Sequence, residues 1–133
     1  MDIPYGLTVR GLLKHHDKIL LLKRHSKSKT NPNRWELPGG KVDKGEDFDK
    51  ALIREFIEET NLKIEIGDLL DAVQEDFPHK RTIVLIMNVK SESYDVKISD
   101  EHVDYIWVTF NELKDLNISG WFENLLIKRN NVL

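Results

Sequence analysis

The chain has 133 residues, 40% hydrophobic and 32% charged, which is the length of one ordinary domain and too apolar for a disordered one. It contains no cysteine, which excludes a disulfide framework, a thiolate zinc site and a cysteine nucleophile, and fits the reducing cytoplasm in which we expect it to work. A formal net charge of −3 without a long basic run disfavours duplex nucleic acid as partner, and no apolar stretch has the length of a signal peptide or membrane span.

In chain order, Leu7 to Leu13 and Ile19 to Leu22 read as a strand pair, turned by His15, His16, Asp17 and Lys18. Ser26 to Asn33 is polar and holds Asn31-Pro32-Asn33, a loop signal. Trp35 to Leu37 is a short strand, stopped by Pro38-Gly39-Gly40. Asp47 to Thr60 predicts a helix, with Phe48, Leu52 and Phe56 spaced by four as its core face and Ala51 beside them. Two apolar stretches follow, Leu62 to Ile66 and Leu69 to Val73. Ile83 to Met87 is an unbroken apolar run, which suits a central strand buried on both faces. Val103 to Val108 predicts a strand and Asn111 to Leu116 a short helix. Trp121 to Arg129 predicts a terminal helix with Trp121, Phe122, Leu125 and Leu126 as its apolar stripe. Strands interleaved with two or three helices, without repeat or linker, imply a single α/β sandwich with a mixed sheet over residues 1–133.

The helix carries an electrostatic oddity. Glu55, Glu58 and Glu59 stand at i, i+3 and i+4, so they share a face and repel by about 0.2–0.5 kcal/mol per pair when exposed. Glu58 and Glu59 also occupy the last turn, where the helix dipole favours cations. A solvated acidic face is one reading. A divalent cation that offsets the repulsion is the other, because Mg²⁺ and Mn²⁺ take hard carboxylate oxygens. Gly39-Gly40 precedes the helix and permits close backbone approach to a ligand. Arg54 can brace Glu58 one turn later or Glu46 two turns earlier.

Gly40, Glu46, Arg54, Glu55, Phe56, Glu58, Glu59, Asn61 and Leu62 together resemble the Nudix box. That box is Gly, five residues, Glu, seven residues, Arg-Glu, an aliphatic or aromatic residue, any residue, Glu-Glu, any residue, Gly and an aliphatic residue. Every spacing holds, and the one departure is Asn61 in place of the final glycine. Asn is the next most tolerant residue for the left-handed helix end expected there. The lead-in Trp35 to Lys41, the strand order and the tract Asp76-Phe77-Pro78-His79-Lys80 are similar to MutT-like members, so the resemblance covers nearly the whole chain.

The resemblance implies a Nudix fold, an α/β/α sandwich with a mixed sheet. It implies a hydrolase that uses Mg²⁺ or Mn²⁺ to split the pyrophosphate linkage of a nucleoside diphosphate derivative. Glu55, Glu58, Glu59, Glu101 and the Gly39 carbonyl would hold metal, with Asp100 as a substitute for Glu101. Glu55 or Glu101 would take the proton of the attacking water, and Arg54 would orient a glutamate. A nucleoside triphosphate, cleaved to monophosphate and pyrophosphate, is the favoured substrate for so short a chain. ADP-ribose or another nucleoside-diphosphate sugar is the alternative, since Pro78 fits either. A non-catalytic nucleotide-binding module is the rival from another class, although every box glutamate is present. The expected partner is a small nucleotide, with the protein a monomer or homodimer.

Outside the box, Arg24 resembles the family's phosphate-contacting arginine, beside the reading of a solvated strand end. Lys41 is open between phosphate contact and ordinary surface, and Phe77 between base stacking and core. Trp35 and Trp107 read as core or pocket wall, and His79 and His102 as surface.

Overall fold

A computed structural model describes residues 2–133. Strand β1 (Tyr5–His15) is the spine of the molecule. Strand β4 (Gly39–Lys41) runs antiparallel along one side of its first half, with Val9 opposite Gly40. Strand β6 (Lys80–Ser91) runs parallel along the other side, with Val9 opposite Leu85. At its far end β1 turns through His16, at φ 58°, into β2 (Lys18–Arg24). Strand β2 lies between β3 (Trp35–Glu36) and β7 (His102–Thr109), antiparallel to both. Strand β5 (Ile64–Phe77) folds back on β6 as a hairpin and forms the outer edge. The parallel β1–β6 pair among antiparallel neighbours makes this seven-stranded sheet mixed.

The two-residue period of a strand sends alternate side chains to opposite faces. Val9, Leu13, Leu20 and Leu22 enter the layer under helix α1 (Phe48–Thr60), against Ala51, Leu52 and Phe56. Leu12, Ile19 and Leu21 enter the opposite layer, under helix α2 (Gly120–Lys128), against Trp121, Phe122 and Leu125. The helices therefore cover opposite faces of the sheet, as an α/β/α sandwich requires. Each fully buried Leu or Phe in these layers contributes about 1.5–3 kcal/mol of transfer free energy. A 3-10 turn at Asn111–Asp115 joins β7 to α2 and buries Leu113.

Several elements differ from the sequence expectation. Gly39 and Gly40 are not only a strand stop; they pair with β1 as β4. The stretch Leu69 to Val73 and the second half of Leu62 to Ile66, from Ile64, belong to one strand, β5, whose register shifts after Ile66 and after Leu69. Bulges of this kind bend a strand without ending it. Phe48 is 41% exposed rather than core. The buried face of α1 comprises Ala51, Leu52, Phe56, Glu59 and Thr60, and Phe48 stands at the open first turn before it. Asn61 ends α1 in the left-handed conformation, at φ 62°, and its N–H donates to the Ile57 carbonyl. This is the role the final glycine of the box would fill.

Candidate active site

Glu55 and Glu59 are one helical turn apart on α1 and point toward strand β4. Glu59 is 3% exposed, and its Oε1 accepts a hydrogen bond from the Gly39 N–H at 2.8 Å. The Glu55 carboxylate lies over Gly40, where an added Cβ would come within 2.6 Å of its Cδ. The second glycine is thus the space the carboxylate occupies. Glu101, exposed on the turn before β7, completes the group: one carboxylate oxygen from each of Glu55, Glu59 and Glu101 lies within 4.8 Å of the others. The loop bearing Glu101 is tied to the helix end, because the Ser99 N–H donates to the Glu59 carbonyl.

Arg54 organises the outer side of the group. It donates to both oxygens of Glu46, at 2.8 and 3.0 Å, to Glu55 at 3.0 Å and to Glu58 at 3.3 Å. Its pKa is raised, first by the Glu46 hydrogen bond and then by Glu55. Glu58 is half exposed and lies against Arg54, outside the trio of Glu55, Glu59 and Glu101. Burial pushes the Glu55 carboxyl above its usual range, and the charges of Glu58 and Glu101 add to that, against the opposing Arg54. Burial pushes Glu59 up further, with Glu55 and Glu36 adding, although Arg10 and the Gly39 N–H oppose it. Both carboxyls are therefore harder to ionise than a free glutamate side chain.

Behind this trio is a buried network that sequence reading missed. Glu36 is 1% exposed, and its Oε2 accepts from Arg10 Nη1 at 3.1 Å and Arg24 Nη1 at 3.0 Å. The same oxygen lies 3.4 Å from His102 Nε2, and Ser119 Oγ donates to Oε1 at 3.3 Å. Burial alone would raise the Glu36 carboxyl. Arg10, the His102 hydrogen bond and Arg24 outweigh it and hold the group at about 2. His102 is therefore not a surface residue; it is 7% exposed, with Nδ1 3.9 Å from Glu59 Oε2. It is buried because β7 pairs with β2, which sets His102 opposite Arg24. A usable signal was present in the sequence. Arg10 and Glu36 are opposite charges inside two otherwise apolar stretches that read as strands.

The remaining candidates are placed as follows. Arg24 Nε donates to the Thr30 carbonyl, Nη1 to Glu36 and Nη2 to Ser28 and Thr30, so the loop and Glu36 engage its whole guanidinium. The Gly39 carbonyl accepts from Arg10 Nη1 at 3.3 Å. Lys41 is exposed at the end of β4 and lines the same cavity as Glu55, Glu59 and Glu101. Phe77 is half-buried at the end of β5.

The acidic trio faces a cavity of about 360 Å³, and a second cavity of about 320 Å³ adjoins it. Thr8, Arg10, Arg24, Thr30 and Glu36 line both. The second continues to Asn31, Glu75, Phe77, Lys80, Thr82, Val84 and Trp121. Trp121 is 2% exposed, and its indole N–H has no protein partner. A larger hollow of about 430 Å³ between β5 and α2 is lined by Ala72, Val73 and Gln74 without any acidic group, and offers no such chemistry.

Comparison with known proteins agrees with this geometry. The NUDIX domain model matches residues 4–127. The nucleoside triphosphatase NudI of Salmonella typhi is 31% identical over 121 residues, covering 81% of this chain and 86% of that protein. The crystal structure of the MutT protein from Methanosarcina mazei Go1 superposes with a TM-score of 0.88 at 30% identity, covering 100% of this chain and 99% of that one. An ADP-ribose pyrophosphatase from Streptococcus suis shares the fold, with a TM-score of 0.69 at 19% identity over 90% of this chain and 82% of that one.

Proposed function

The chain belongs to the NUDIX family and is a hydrolase of the pyrophosphatase kind, and from that premise we propose that it cleaves nucleoside triphosphates to the monophosphate and pyrophosphate with a divalent metal. The observation that carries this reading is the pair of joined cavities. One presents a carboxylate trio suited to a metal that would in turn engage the phosphates, and the other offers an aromatic and polar chamber for a nucleoside. Together they have the scale of small-molecule sites, which run to about 300–1,000 Å³.

The trio fits the metal by its chemistry. Three carboxylates within 4.8 Å repel one another unless protonated or bridged, and oxygen donors are the ligands Mg²⁺ and Mn²⁺ prefer. Glu55, Glu59 and Glu101 would hold it, with Glu58 free to join by turning from Arg54 and the Gly39 carbonyl close by. A bound divalent ion neutralises the diphosphate and polarises the phosphorus under attack. The protein's own residues do the rest. Gly39 fixes the Glu59 carboxylate through its N–H, so the group is positioned before substrate arrives. Arg54 fixes Glu55 from the other side. Glu55, with its raised pKa, or the exposed Glu101 accepts the proton of the attacking water. Arg10 and Arg24 place positive charge on the wall between the two cavities, where the phosphate chain would pass. Lys41 at the cavity rim and Phe77 in the nucleoside chamber complete the substrate contacts.

The test is a turnover screen with Mg²⁺ over nucleoside triphosphates, ADP-ribose, dinucleoside polyphosphates and sugar nucleotides, with product identification. Release of pyrophosphate from a triphosphate is the expected result. Selective cleavage of ADP-ribose would move the protein to the sugar-nucleotide side of the family, and no turnover of any diphosphate would make it a binding module.

A further inference from the structure

The nucleoside chamber contains one carboxylate whose role the reaction does not explain. Glu75 is half-buried near the end of β5 and lines the second cavity. Of the other carboxylates around the site, Glu59 and Glu101 belong to the trio, Glu36 faces Arg10 and Arg24, and Glu46, Glu55 and Glu58 face Arg54. Glu75 instead accepts from a neutral amide, Asn31 Nδ2, at 3.3 Å through Oε2.

That contact is anchored. Asn31 sits in the left-handed region at φ 47°, and its Oδ1 accepts the Gly120 N–H at 3.0 Å, at the start of α2. Gly120 itself leaves the room: an added Cβ would lie 3.0 Å from Glu75 Oε2. Asn31, itself tied to the start of α2, therefore holds Oε2, while Oε1 keeps its acceptor capacity. Half-buried Phe77 also lines the chamber and is an aromatic surface of the kind that covers a face of a base, whereas the Trp121 ring is stacked on Phe122 with the Arg10 guanidinium over it and forms the chamber's floor.

Resting on the triphosphate reading above, we infer that Glu75 selects the base by accepting a hydrogen bond from an exocyclic amino group. Cytosine, adenine and guanine carry such a group. In guanine the ring N–H stands beside it and adds a second donor. Uracil and thymine offer a ring N–H, but a carbonyl flanks it on each side, and their lone pairs face the carboxylate. Hypoxanthine lacks the amino group. A carboxylate pressed against a base without a matching donor loses water and gains no partner, and sites of this kind reject the wrong analogue strongly. The preference of acidic side chains for the cytosine amino group in base recognition has the same origin.

The experiment compares kcat/KM for matched triphosphates with and without the amino group. The pairs are guanosine and inosine, adenosine and purine riboside, and cytidine and pyrimidin-2-one riboside. In the wild type the best amino-bearing substrate should exceed its partner about tenfold or more, the scale of a hydrogen bond to a charged group. Glu75→Ala should bring that ratio to about one, and Glu75→Gln, which keeps the shape and a neutral acceptor, should lie between. Circular dichroism and thermal unfolding of both variants establish that each is folded. Equal rates within all three pairs for the wild type, or a preference that survives Glu75→Ala, would overturn the assignment while leaving the triphosphate reading intact. Turnover of none of the six, with ADP-ribose or a sugar nucleotide cleaved, would overturn the triphosphate reading and this assignment with it.

Discussion

Glu59 Oε1 accepts the Gly39 N–H at 2.8 Å, and this one bond joins the last turn of α1 to strand β4. It orients a buried carboxylate that has no cation in direct contact. Substituting Glu59→Gln preserves the acceptor and removes the charge. We expect turnover to fall by about 100-fold or more, the scale of losing a preorganised electrostatic group. The metal-free variant should be at least as stable as the wild type, since repulsion with Glu55 and Glu36 is relieved. Near-normal turnover in saturating Mg²⁺ would remove Glu59 from the site.

Gly39 has a second constraint. Its φ is 146°, and an added Cβ would lie 2.0 Å from the Val9 carbonyl oxygen. Gly45 is also at positive φ, 83°, but has nothing within 4 Å of its Cβ position. Gly45→Ala should cost only backbone strain, about 1 kcal/mol, whereas Gly39→Ala should exceed the upper end of about 1–3 kcal/mol expected from strain alone. Chemical denaturation of the two variants makes the comparison, and equal losses would argue against the close approach of β4 to β1.

The Glu36 network predicts a large stability effect away from the reacting groups. Glu36→Ala leaves Arg10, 8% exposed, and much of Arg24 without their shared carboxylate. Breaking a buried pair by deleting one partner costs about 3–5 kcal/mol. Urea unfolding should show a loss of that size, and a change within ordinary surface range would mean that the guanidiniums find other partners.

The raised Glu59 and Glu55 carboxyls set the sign of a pH effect. The folded state binds protons more tightly than the unfolded chain at these sites, so their stabilisation is present below the ordinary value of 4.5. It is lost as pH rises through the raised values. In chelator, the melting temperature should therefore fall from about pH 5 upward, and less so in Glu59→Gln, which isolates that group. Mg²⁺ or Mn²⁺ at matched ionic strength should raise it again, most at the alkaline end, because a ligand specific to the folded state stabilises by mass action. Wild-type and Glu59→Gln curves of identical shape, with no response to millimolar metal, would contradict the shift.

Glu101 and its neighbour Asp100 make a matched pair. Both are exposed, but Glu101 belongs to the trio and Asp100 does not. Glu101→Gln should lower kcat far more than it raises KM, the signature of an interaction made in the transition state. Asp100→Asn should do much less. Equal and small effects would leave Glu55 as the proton acceptor.

Much of this protein was legible in its sequence because the decisive patterns are local. The box acids Glu55, Glu58 and Glu59 lie within five residues on one helix, so a 3.6-residue repeat is enough to bring them together. The run Ile83 to Met87 marked a central strand by its composition, and Asn61 marked the helix end by its tolerance of a left-handed turn. What only the tertiary structure decided comes from contacts between distant segments. Arg10 meets Glu36 across 26 positions and His102 meets it across 66, so a residue read as surface became buried beside the metal candidates. Glu58 turned to Arg54 while Glu101 joined Glu55 and Glu59, a division that helical spacing cannot make. The second cavity brings Asn31, Glu75 and Trp121 together from a loop, a strand and a helix. Short-range periodicity records which face a residue takes within its own element; which residues then meet depends on how the elements pair, and sheet register and packing set that.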